Sequence, residues 1–363
     1  MQTFASQNTD RGKTSKRSEK SPMTLFDLAQ ELNVSISTIS RALSRPEMVA
    51  PVTREKVLAA VKQFGFQPNE IARSLRTRRT KTIGIIVPDI TNWFFGAIVK
   101  AVGEVAKSNG YSVLVCNADE DRAGEEHALN LLRERKASGI INCPVGASLK
   151  LWRELKKTGI PVVELDRASG LEKVDVVVLD NEKAAHLAAT HLIRLGHRRI
   201  ATIAGPQHLS NGRARLSGFQ KTLRLNSIPL PPEYVEYGDF REGSGHDAAK
   251  RLLSLRNPPT AIFIANSEMA GGAIGALREC KVKIPARLSV VAFDNARWGR
   301  YLDPPLTVIA EPTEAMGRCA AELLLARLNS RSTSRKLNTE IFPPELIVRK
   351  STARLNPAKA HRG

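Results

Sequence analysis

The apolar positions of the chain first become regular after residue 23, where they repeat at helical spacing. The first run consists of Leu25, Leu28, Ala29 and Leu32. Because these are positions i, i+3, i+4 and i+7, they form the one-sided stripe of a short amphipathic helix. Thr24 is placed to cap that helix, and Asp27 lies in its first turn, where the helix dipole favours negative charge. The pattern predicts a short helix that buries one face.

A second short helix is predicted after a break at Asn33 and Val34, with Ser35 as its cap. Its inner face consists of Ile39, Ala42 and Leu43. Its outer face consists of Ile36, Ser37, Ser40 and Arg41. An arginine can fork to guanine, a hydroxyl can reach a phosphate or a base edge, and an isoleucine can meet a thymine methyl group. Two such helices joined by a tight turn indicate a DNA-binding helix-turn-helix, and a helical hairpin with a solvated polar face is the alternative.

A third helix is predicted from Thr53 to the closing Gly65. Its inner side is predicted to consist of Val57, Leu58, Val61 and Phe64. Three helices over residues 23–67 make a small domain, which is near the lower size limit for folding alone.

The segment 68–81 contains one short potential helix followed by a basic run. A helix this short is marginal in water, so we expect it to form only when something packs against it, which suits a hinge that switches. Leu75 is flanked by arginines, including Arg76, and this fits an apolar wedge in a minor groove while the cations hold phosphates. The alternative is a linker in which Leu75 has no contact role.

From Thr82 onward, short apolar runs of buried-strand type alternate with helical patterns such as Ala97 to Lys107 and Glu125 to Arg135. The runs are 83–87, 111–115, 139–143, 161–165, 175–180, 198–205, 234–238, 260–266 and 288–293. Alternation of this kind predicts an α/β fold with parallel, doubly wound sheets. Residues 82–350 are too many for one such sheet, so we expect two similar lobes with a ligand cleft at the carboxyl ends of their strands.

Polar residues that directly follow these strands should therefore line the cleft. They are Asp89, Asn142, Asp166, Arg167, Asp180, Asn181, Asn266, Asp294 and Asn295. Asn92, Phe94 and Phe95 follow the first strand, and Phe240 follows a later one. Aromatic faces surrounded by Asp, Asn and Arg have the chemistry of a sugar site, because ring C–H groups stack on the aromatics while hydroxyls give and accept hydrogen bonds. Each Asp or Asn taken singly is more often the cap of the following helix.

The charge of the chain points to a polyanionic partner. The formal net charge is +19 and the sequence pI is near 10.1. Residues 1–81 hold 15 Lys and Arg against 7 Asp and Glu, while residues 82–363 hold 40 against 29. The first part is thus more basic per residue, as expected of a nucleic-acid contact, and a simple gain in solubility is the alternative.

The remaining composition excludes several classes of protein. Four cysteines lie far apart without paired spacing, so we predict buried thiols in a reducing compartment, with no disulfide framework, metal or cofactor. No apolar run is long enough to span a membrane. Residues 1–22 carry no apolar signal region, so we expect a disordered basic tail, with Met23 as the natural start of a cytoplasmic, nucleoid-associated protein.

The assembled residues resemble the lactose-repressor (LacI/GalR-type) family of bacterial transcription regulators from about Met23 to Thr352. TLFDLAQELNVSISTISRAL, TREKVLAAV and QPNEIARSLR are similar to the family's helix-turn-helix, third helix and hinge. NGRARLSGF, FDN, PPLT and PPELIVRKST are similar to its effector-domain signatures. The resemblance implies an N-terminal helix-turn-helix headpiece and a two-lobed effector domain with parallel sheets, like that of periplasmic ribose-type binding proteins.

The resemblance also implies roles for particular residues. Operator contacts would be made by Ser35, Ile36, Ser37, Thr38, Ser40, Arg41, Leu75 and Arg76, with Leu75 as the minor-groove wedge. Sugar contacts would be made by Asn92, Phe94, Phe95, Asp166, Arg167, Arg215, Phe240, Asn266 and Asp294. The expected partners are a pseudo-palindromic double-stranded DNA operator, a small effector of carbohydrate type and a second copy of the chain.

The chain departs from the family pattern at two places in the cleft. Ser267 replaces the usual acidic residue after Asn266, and Glu311 stands where an amide or aspartate is common. The family's tetramers add a C-terminal leucine heptad helix, whereas the tail from 351 to 363 is short and basic, so we expect a disordered tail and a dimer.

Two other classes of function remain as alternatives. A sugar-binding module for uptake would share the two lobes, although residues 24–41 and the lack of a secretory signal argue against it. An enzyme on a dinucleotide fold would need a phosphate-binding glycine pattern, which Gly271, Gly272 and Gly275 do not form. The histidines His186, His191 and His197 have the pattern of helix and turn residues rather than of a catalytic set.

Overall fold

A computed structural model describes residues 23–44, 46–66, 80–146, 148–171, 174–329 and 337–355. The chain divides into two compact units, which we call the headpiece (Met1–Arg76) and the effector unit (Thr77–Gly363). The predicted hinge residues 68–79, with Leu75 and Arg76, lie outside the described residues, as does the predicted tail 1–22.

The headpiece contains the three predicted helices, α1 (Leu25–Glu31), α2 (Ile36–Ser44) and α3 (Pro51–Phe64), with a 3-10 turn at Pro46–Met48. The predicted caps of α1 and α2 are confirmed. The Thr24 and Asp27 side chains cap each other's backbone N–H groups in a capping box. Ser35 Oγ accepts a hydrogen bond from the Thr38 N–H at 3.1 Å.

The inner side of α3 differs from the prediction. The helix begins at Pro51, not Thr53, because proline suits the first helical position, where its missing N–H is not needed. Leu58 and Phe64 are 47% and 36% exposed. The small core instead consists of Leu28, Ala29, Ile39, Ala42, Val57, Ala60 and Phe66. Gly65 ends the helix in the left-handed conformation (φ 61°), and the chain then turns back so that Phe66 packs inward.

The first lobe of the effector unit has a six-stranded parallel sheet. Its strands are β1 (Thr82–Val87), β2 (Ser112–Asn117), β3 (Gly139–Asn142), β4 (Val162–Leu165), β5 (Asp175–Leu179) and β11 (Thr339–Phe342), in the order β11-β5-β4-β3-β1-β2. Its helices are α4 (Trp93–Ser108), α5 (Arg122–Glu134), α6 (Leu149–Lys157) and α11 (Thr313–Asn329). Helix α4 begins earlier than predicted, so Asn92, Phe94 and Phe95 lie at its amino end.

The second lobe repeats the plan with one difference. Its strands are β6 (Ile200–Ala204), β7 (Val235–Tyr237), β8 (Ala261–Ile264), β9 (Ser289–Phe293), β10 (Thr307–Ala310) and β12 (Glu345–Ile347), in the order β12-β10-β9-β8-β6-β7. Only β12 is antiparallel to its neighbour. Its helices are α7 (Asn181–Arg194), α8 (Ser210–Leu225), α9 (Glu242–Ser254) and α10 (Ser267–Glu279), with 3-10 turns at Pro232–Tyr234 and Arg297–Arg300.

The chain passes between the two sheets three times, after β5, after β10 and after β11. The nine predicted strands and the two-lobed α/β architecture are confirmed. The sequence analysis missed β10, β11 and β12, which close the two sheets. Strand β11 is mostly exposed and β12 spans three residues, so neither carries the continuous apolar run of a buried strand.

The structure contradicts a disordered tail that starts at residue 351. Ser351 is fully buried, and its hydroxyl accepts from the Thr307 N–H at 2.7 Å and donates to the Val290 carbonyl at 2.6 Å. The Leu355 N–H donates to the Leu195 carbonyl at 2.9 Å. The segment 351–355 therefore completes the packing of the second lobe, and residues 356–363 lie outside the described part.

The cysteines are free thiols, but not all of them are buried as predicted. Cys116 and Cys143 are buried, Cys319 is half-buried and Cys280 is exposed, because Cys280 lies at the surface end of α10. Partial burial raises the pKa of the Cys319 thiol to about 11. No helix among the described residues is long and apolar enough to cross a membrane.

Candidate functional site

The predicted DNA-contact face lies along the outer side of α2. Ile36 is 45% exposed, and Ser37 and Arg41 are exposed one helical turn apart, so they share a face. Ser35 Oγ lies 2.7 Å from Ser37 Oγ and 2.8 Å from Thr38 Oγ1. This face offers hydroxyls, one apolar side chain and one arginine, which is the chemistry predicted from the sequence.

A buried cavity lies where the carboxyl ends of the strands of both lobes meet. The free volume between its walls is only about 20 Å³, which is room for about one water molecule. It is lined by Asn92, Phe94, Phe95, Glu120, Asp166, Arg167, Asn211, Arg215, Phe240, Asn266, Asp294 and Glu311. All nine residues that the family resemblance implied as sugar contacts are among them. Their role as effector contacts stays a prediction.

Three of the cavity residues lie within three positions of the end of a strand and have the left-handed backbone conformation. The φ angles are 66° at Asp166, 68° at Phe240 and 68° at Asp294. This conformation is uncommon for residues other than glycine and tends to persist at functional sites. Close packing accompanies it, because a Cβ atom at Gly205 would lie 2.1 Å from the Phe240 ring. The backbone conformation and this close packing therefore fix the position of the Phe240 ring.

The aromatic side chains provide apolar surface on both lobes. Phe94 and Phe95 lie edge to face with centroids 5.0 Å apart, and both are buried at the start of α4. Phe240 lies on the second lobe, with the Arg167 guanidinium carbon 5.5 Å from its ring centroid. Ring C–H groups of a sugar can pack against such faces.

Arg167 forms the shortest ion pair of the cavity. Its Nη1 and Nη2 atoms donate to the two carboxylate oxygens of Glu120 at 2.8 and 2.6 Å. Its Nε lies 3.4 Å from Asp166 Oδ2 but has no hydrogen-bond partner among the described residues. Burial opposes the charge of Arg167, yet Glu120 and Asp166 raise its pKa above the usual value. One N–H of a fixed cation thus remains available to a ligand.

Arg215 joins the cavity to the segments that connect the lobes. Its Nε donates to Asn181 Oδ1 at 2.7 Å, and its Nη1 donates to the Ala265 carbonyl at 2.6 Å. Its Nη2 lies 3.6 Å from Glu311 Oε1. Asn181 follows the first crossing between the lobes and Glu311 lies at the second. Arg215 therefore contacts the site and two of the three connections at once.

The carboxyl groups of the cavity bind groups from both lobes. Asp294 Oδ2 accepts from the Ser267 N–H and hydroxyl at 3.0 and 2.8 Å. Asp166 Oδ2, on the first lobe, accepts from Asn211 on the second at 3.1 Å. The Ala168 N–H also donates across the cleft to Ser210 Oγ at 2.8 Å. These bonds hold the two lobes closed over the cavity.

Burial changes the acidity of two of these groups. It raises the pKa of Asp166, against the lowering effect of Arg167 and Arg215. It also raises the pKa of Glu311 well above the usual glutamate value, and the negative charge of Asp294 adds to the effect. These two groups therefore hold a proton more readily than a solvated carboxyl would.

Helix capping and cavity lining coincide at two residues. Asn92 Oδ1 accepts from the Phe94 N–H at 2.9 Å, and Asn266 Oδ1 accepts from the Met269 N–H at 3.0 Å, so both cap helices while facing the cavity.

Five other polar residues expected along the cleft do not line this cavity: Asp89, Asn142, Asp180, Asn181 and Asn295. They serve nearby structure instead, as when Asp180 caps α7 and Asn142 donates to Glu125 at 2.7 Å.

Three cavity residues were not on the predicted contact list. Glu120 follows β2, so the strand-end argument could have found it. Asn211 lies in the first turn of α8 and belongs to the NGRARLSGF motif, which was noted without assigning the asparagine. Glu311 was noted as a departure from the family pattern but was given no role.

Comparisons with known proteins agree with both units. A family model for bacterial regulatory proteins, lacI family, matches residues 24–69, and a model for a periplasmic binding protein-like domain matches residues 189–352. The HTH-type transcriptional repressor CytR of Escherichia coli (strain K12) is 33% identical over 93% of this chain and 99% of its own length. The lac repressor dimer, solved with operator and the anti-inducer ONPF, has a TM-score of 0.80 at 29% identity over 92% of this chain and 100% of that one. A LacI family transcriptional regulator from Enterococcus faecium with bound ribose has a TM-score of 0.68 at 30% identity over 76% of this chain and 100% of that one.

Proposed function

Because the chain belongs to the lacI family of bacterial regulatory proteins, we propose that a sugar or sugar derivative in its cleft controls how tightly its headpiece holds a pseudo-palindromic operator. The chain is a DNA-binding transcriptional repressor and, like its relatives, not an enzyme. The proposal concerns three finer points: the class of the effector, the dimeric state and the residues that make the contacts.

The observation that carries the proposal is the arrangement of the cavity. Aromatic rings from both lobes face a small enclosed space whose other walls are carboxyl, amide and guanidinium groups. A sugar ring needs both kinds of surface, because its C–H faces are apolar and its hydroxyls each give and accept hydrogen bonds. The related regulator from Enterococcus faecium was solved with ribose, which supports the same class of ligand here.

The contacts across the cleft suggest how a ligand acts on the lobes. The hydrogen bonds between Asp166 and Asn211 and between Ala168 and Ser210 join the two lobes across the cleft. A ligand that replaces some of these bonds with its own changes the free energy of the closed arrangement relative to an open one. Arg215 contacts two of the connections between the lobes, so it is placed to relay that change.

We propose that the protein acts on DNA as a homodimer. Two helix-turn-helix units must reach half-sites about one helical turn apart, so the angle between the lobes sets whether both hinges can pack together. The related lac repressor was solved as a dimer bound to operator, which supports this arrangement. In α2 and its cap, we propose that Arg41, Ile36 and Ser37 read base edges, while Ser35, Thr38 and Ser40 contact the DNA backbone or position the helix. We propose Leu75 and Arg76 as the minor-groove contacts of the hinge.

The test is selection of DNA by the full-length protein from a pool of random duplexes, followed by fluorescence anisotropy with the selected site and a scrambled duplex of equal composition. We expect a pseudo-palindromic site that binds at least about 1,000-fold more tightly than the scrambled duplex. Equal affinity for both duplexes, with and without a panel of sugars, would contradict the proposal.

A further inference from the structure

We propose that the effector is an uncharged monosaccharide, and that the cleft excludes the phosphate ester and the sugar acid derived from it; this rests on the proposed function. Two observations support it. The carboxyl groups that line the cavity outnumber the arginines, and both arginines already form hydrogen bonds with protein groups.

Both cations that line the cavity are engaged by protein groups. Arg167 donates two hydrogen bonds to Glu120, and Arg215 donates to Asn181 and to the Ala265 carbonyl. No lysine lines the cavity among the described residues. A phosphate or carboxylate that entered would lose its water and find only one unpartnered N–H of a cation, at Arg167 Nε, which lies 3.4 Å from the Asp166 carboxyl oxygen. This is poor compensation for a buried ion.

The carboxyl groups outnumber these cations. Glu120, Asp166, Asp294 and Glu311 face the same space as the two guanidinium groups. Burial raises the pKa of Asp166 and Glu311, so these two supply no positive charge when protonated, and every carboxyl group that is ionised repels an acidic ligand in the desolvated site. A neutral hydroxyl carries neither penalty and can donate to the same oxygens.

Glu311 is the residue that gives the cavity its specific preference. Its side chain is only 2% exposed, and its Oε2 atom has no hydrogen-bond partner among the described residues. A buried acceptor without a partner raises the free energy of the unliganded protein, and a hydroxyl that donates to it removes that cost. The raised pKa of Glu311 does not change the conclusion, because a protonated carboxyl is neutral and still supplies no positive charge to an anion.

The site offers such a ligand one unpartnered donor and one unpartnered oxygen. Arg167 Nε is an unpartnered N–H and Glu311 Oε2 an unpartnered oxygen among the described residues. A sugar hydroxyl can accept from the first, and another can donate to the second. A monosaccharide therefore satisfies both atoms without adding charge.

The experiment measures binding of matched series to the full-length protein by thermal shift and calorimetry. One series contains free pentoses and hexoses, and the other contains the phosphate ester and the sugar acid of each. We expect at least one free sugar to raise the melting temperature, and its acidic counterparts to bind at least about 100-fold more weakly.

Variants of Glu311 separate its charge from its shape. At a pH above the raised pKa of Glu311, where its carboxyl is ionised, Glu311→Gln keeps the shape and removes the negative charge, so we expect the ratio of the two dissociation constants to fall by about tenfold. Glu311→Asp keeps the charge and should retain the wild-type ratio. Glu314→Gln is the matched control, because this exposed glutamate lies three residues further along, in the first turn of α11, and it should leave the ratio unchanged. The melting temperature of each unliganded variant reports whether it folds.

Each outcome bears on a different statement. If a sugar phosphate or sugar acid binds the wild type as tightly as the corresponding uncharged sugar, the proposed exclusion of acidic sugars is wrong. Loss of that binding in Arg213→Ala would then place the acid group in the neighbouring cavity that Arg213 lines. Equal ratios in Glu311→Gln and Glu311→Asp overturn the role of charge at Glu311. Absence of binding in both series overturns the proposed function itself, and the inference with it.

Discussion

The headpiece and the effector unit hold their candidate contact groups in opposite environments. On α2 of the headpiece, Ile36 and Arg41 point outward, above a core of seven buried residues. In the effector unit, Arg167 and Arg215 are 2% and 4% exposed and bonded on several sides. The first surface is open to a partner as large as a duplex, whereas the second is built to enclose a small molecule.

The difference also concerns what each arginine contributes to stability. An exposed arginine can be removed at little cost to the fold, so its loss should appear mainly in binding. A buried arginine that pairs with carboxyl, amide and carbonyl groups leaves them unsatisfied when it is removed. Replacing arginine by alanine should therefore weaken DNA binding when it is done on α2 of the headpiece, and should lower stability when it is done in the cavity of the effector unit.

The largest effect is expected for Arg215→Ala. The substitution leaves Glu311, Asn181 and the Ala265 carbonyl without their partner, so the free energy of unfolding of the effector unit should fall by about 3 to 5 kcal/mol. Urea unfolding of the full chain, followed by tryptophan fluorescence, measures this. The control is Arg213→Ala, an exposed arginine on the same helix α8, which should change stability by about 0.5 kcal/mol or less. Equal losses of stability in both variants would contradict the expected difference between a buried and an exposed arginine.

The corresponding change in the headpiece, Arg41→Ala, should affect binding instead. Loss of a forked contact to a base should cost about 1 to 3 kcal/mol at one operator position, with sugar binding and thermal stability intact. Anisotropy with a set of operators, each changed at one base pair, locates that position. If Arg41→Ala weakens binding to random DNA equally, the side chain contacts phosphates only.

A smaller effect is expected at the cap of α1. Thr24→Ala removes the side chain that accepts from the Asp27 N–H and binds its carboxylate, so the headpiece should lose about 1 kcal/mol of stability. Hydrogen exchange of headpiece amides reports this loss separately from the effector unit. Thr24→Ser should restore protection. Loss of protection in the effector unit as well would mean that the two units do not unfold independently.

A further expected effect is a dependence of stability on pH. The pKa of Glu311 is raised in the folded state, so its contribution to stability is present below the ordinary glutamate pKa and is lost as pH rises through the raised value. The difference in unfolding free energy between wild type and Glu311→Gln should therefore move in favour of the variant with rising pH. A difference that stays constant with pH would contradict the burial of Glu311 as an acid.

Sequence patterns predicted much of the fold because helix stripes and buried strands are local. The caps at Thr24 and Ser35, nine strands and nine cavity residues could be placed from spacing, strand ends and family resemblance. The pairing of Arg167 with Glu120, 47 residues away, could not, because nothing in either neighbourhood encodes the other. The inward turn of Phe66 and the packing of residues 351–355 also depend on contacts distant in sequence or on a turn geometry that periodicity does not report.

The most direct test of the account is the coupling between the cleft and the operator. Operator affinity is measured with and without the free sugar that gives the largest thermal shift, in wild type, in Asp294→Ala and in the control Asn295→Ala, whose neighbouring side chain lies outside the cavity. We predict that the sugar changes operator affinity about 5- to 150-fold in wild type and in Asn295→Ala, but not in Asp294→Ala, which should still bind DNA. An identical response in Asp294→Ala, or no response in wild type to a sugar that binds it, would contradict control of DNA binding through this cleft.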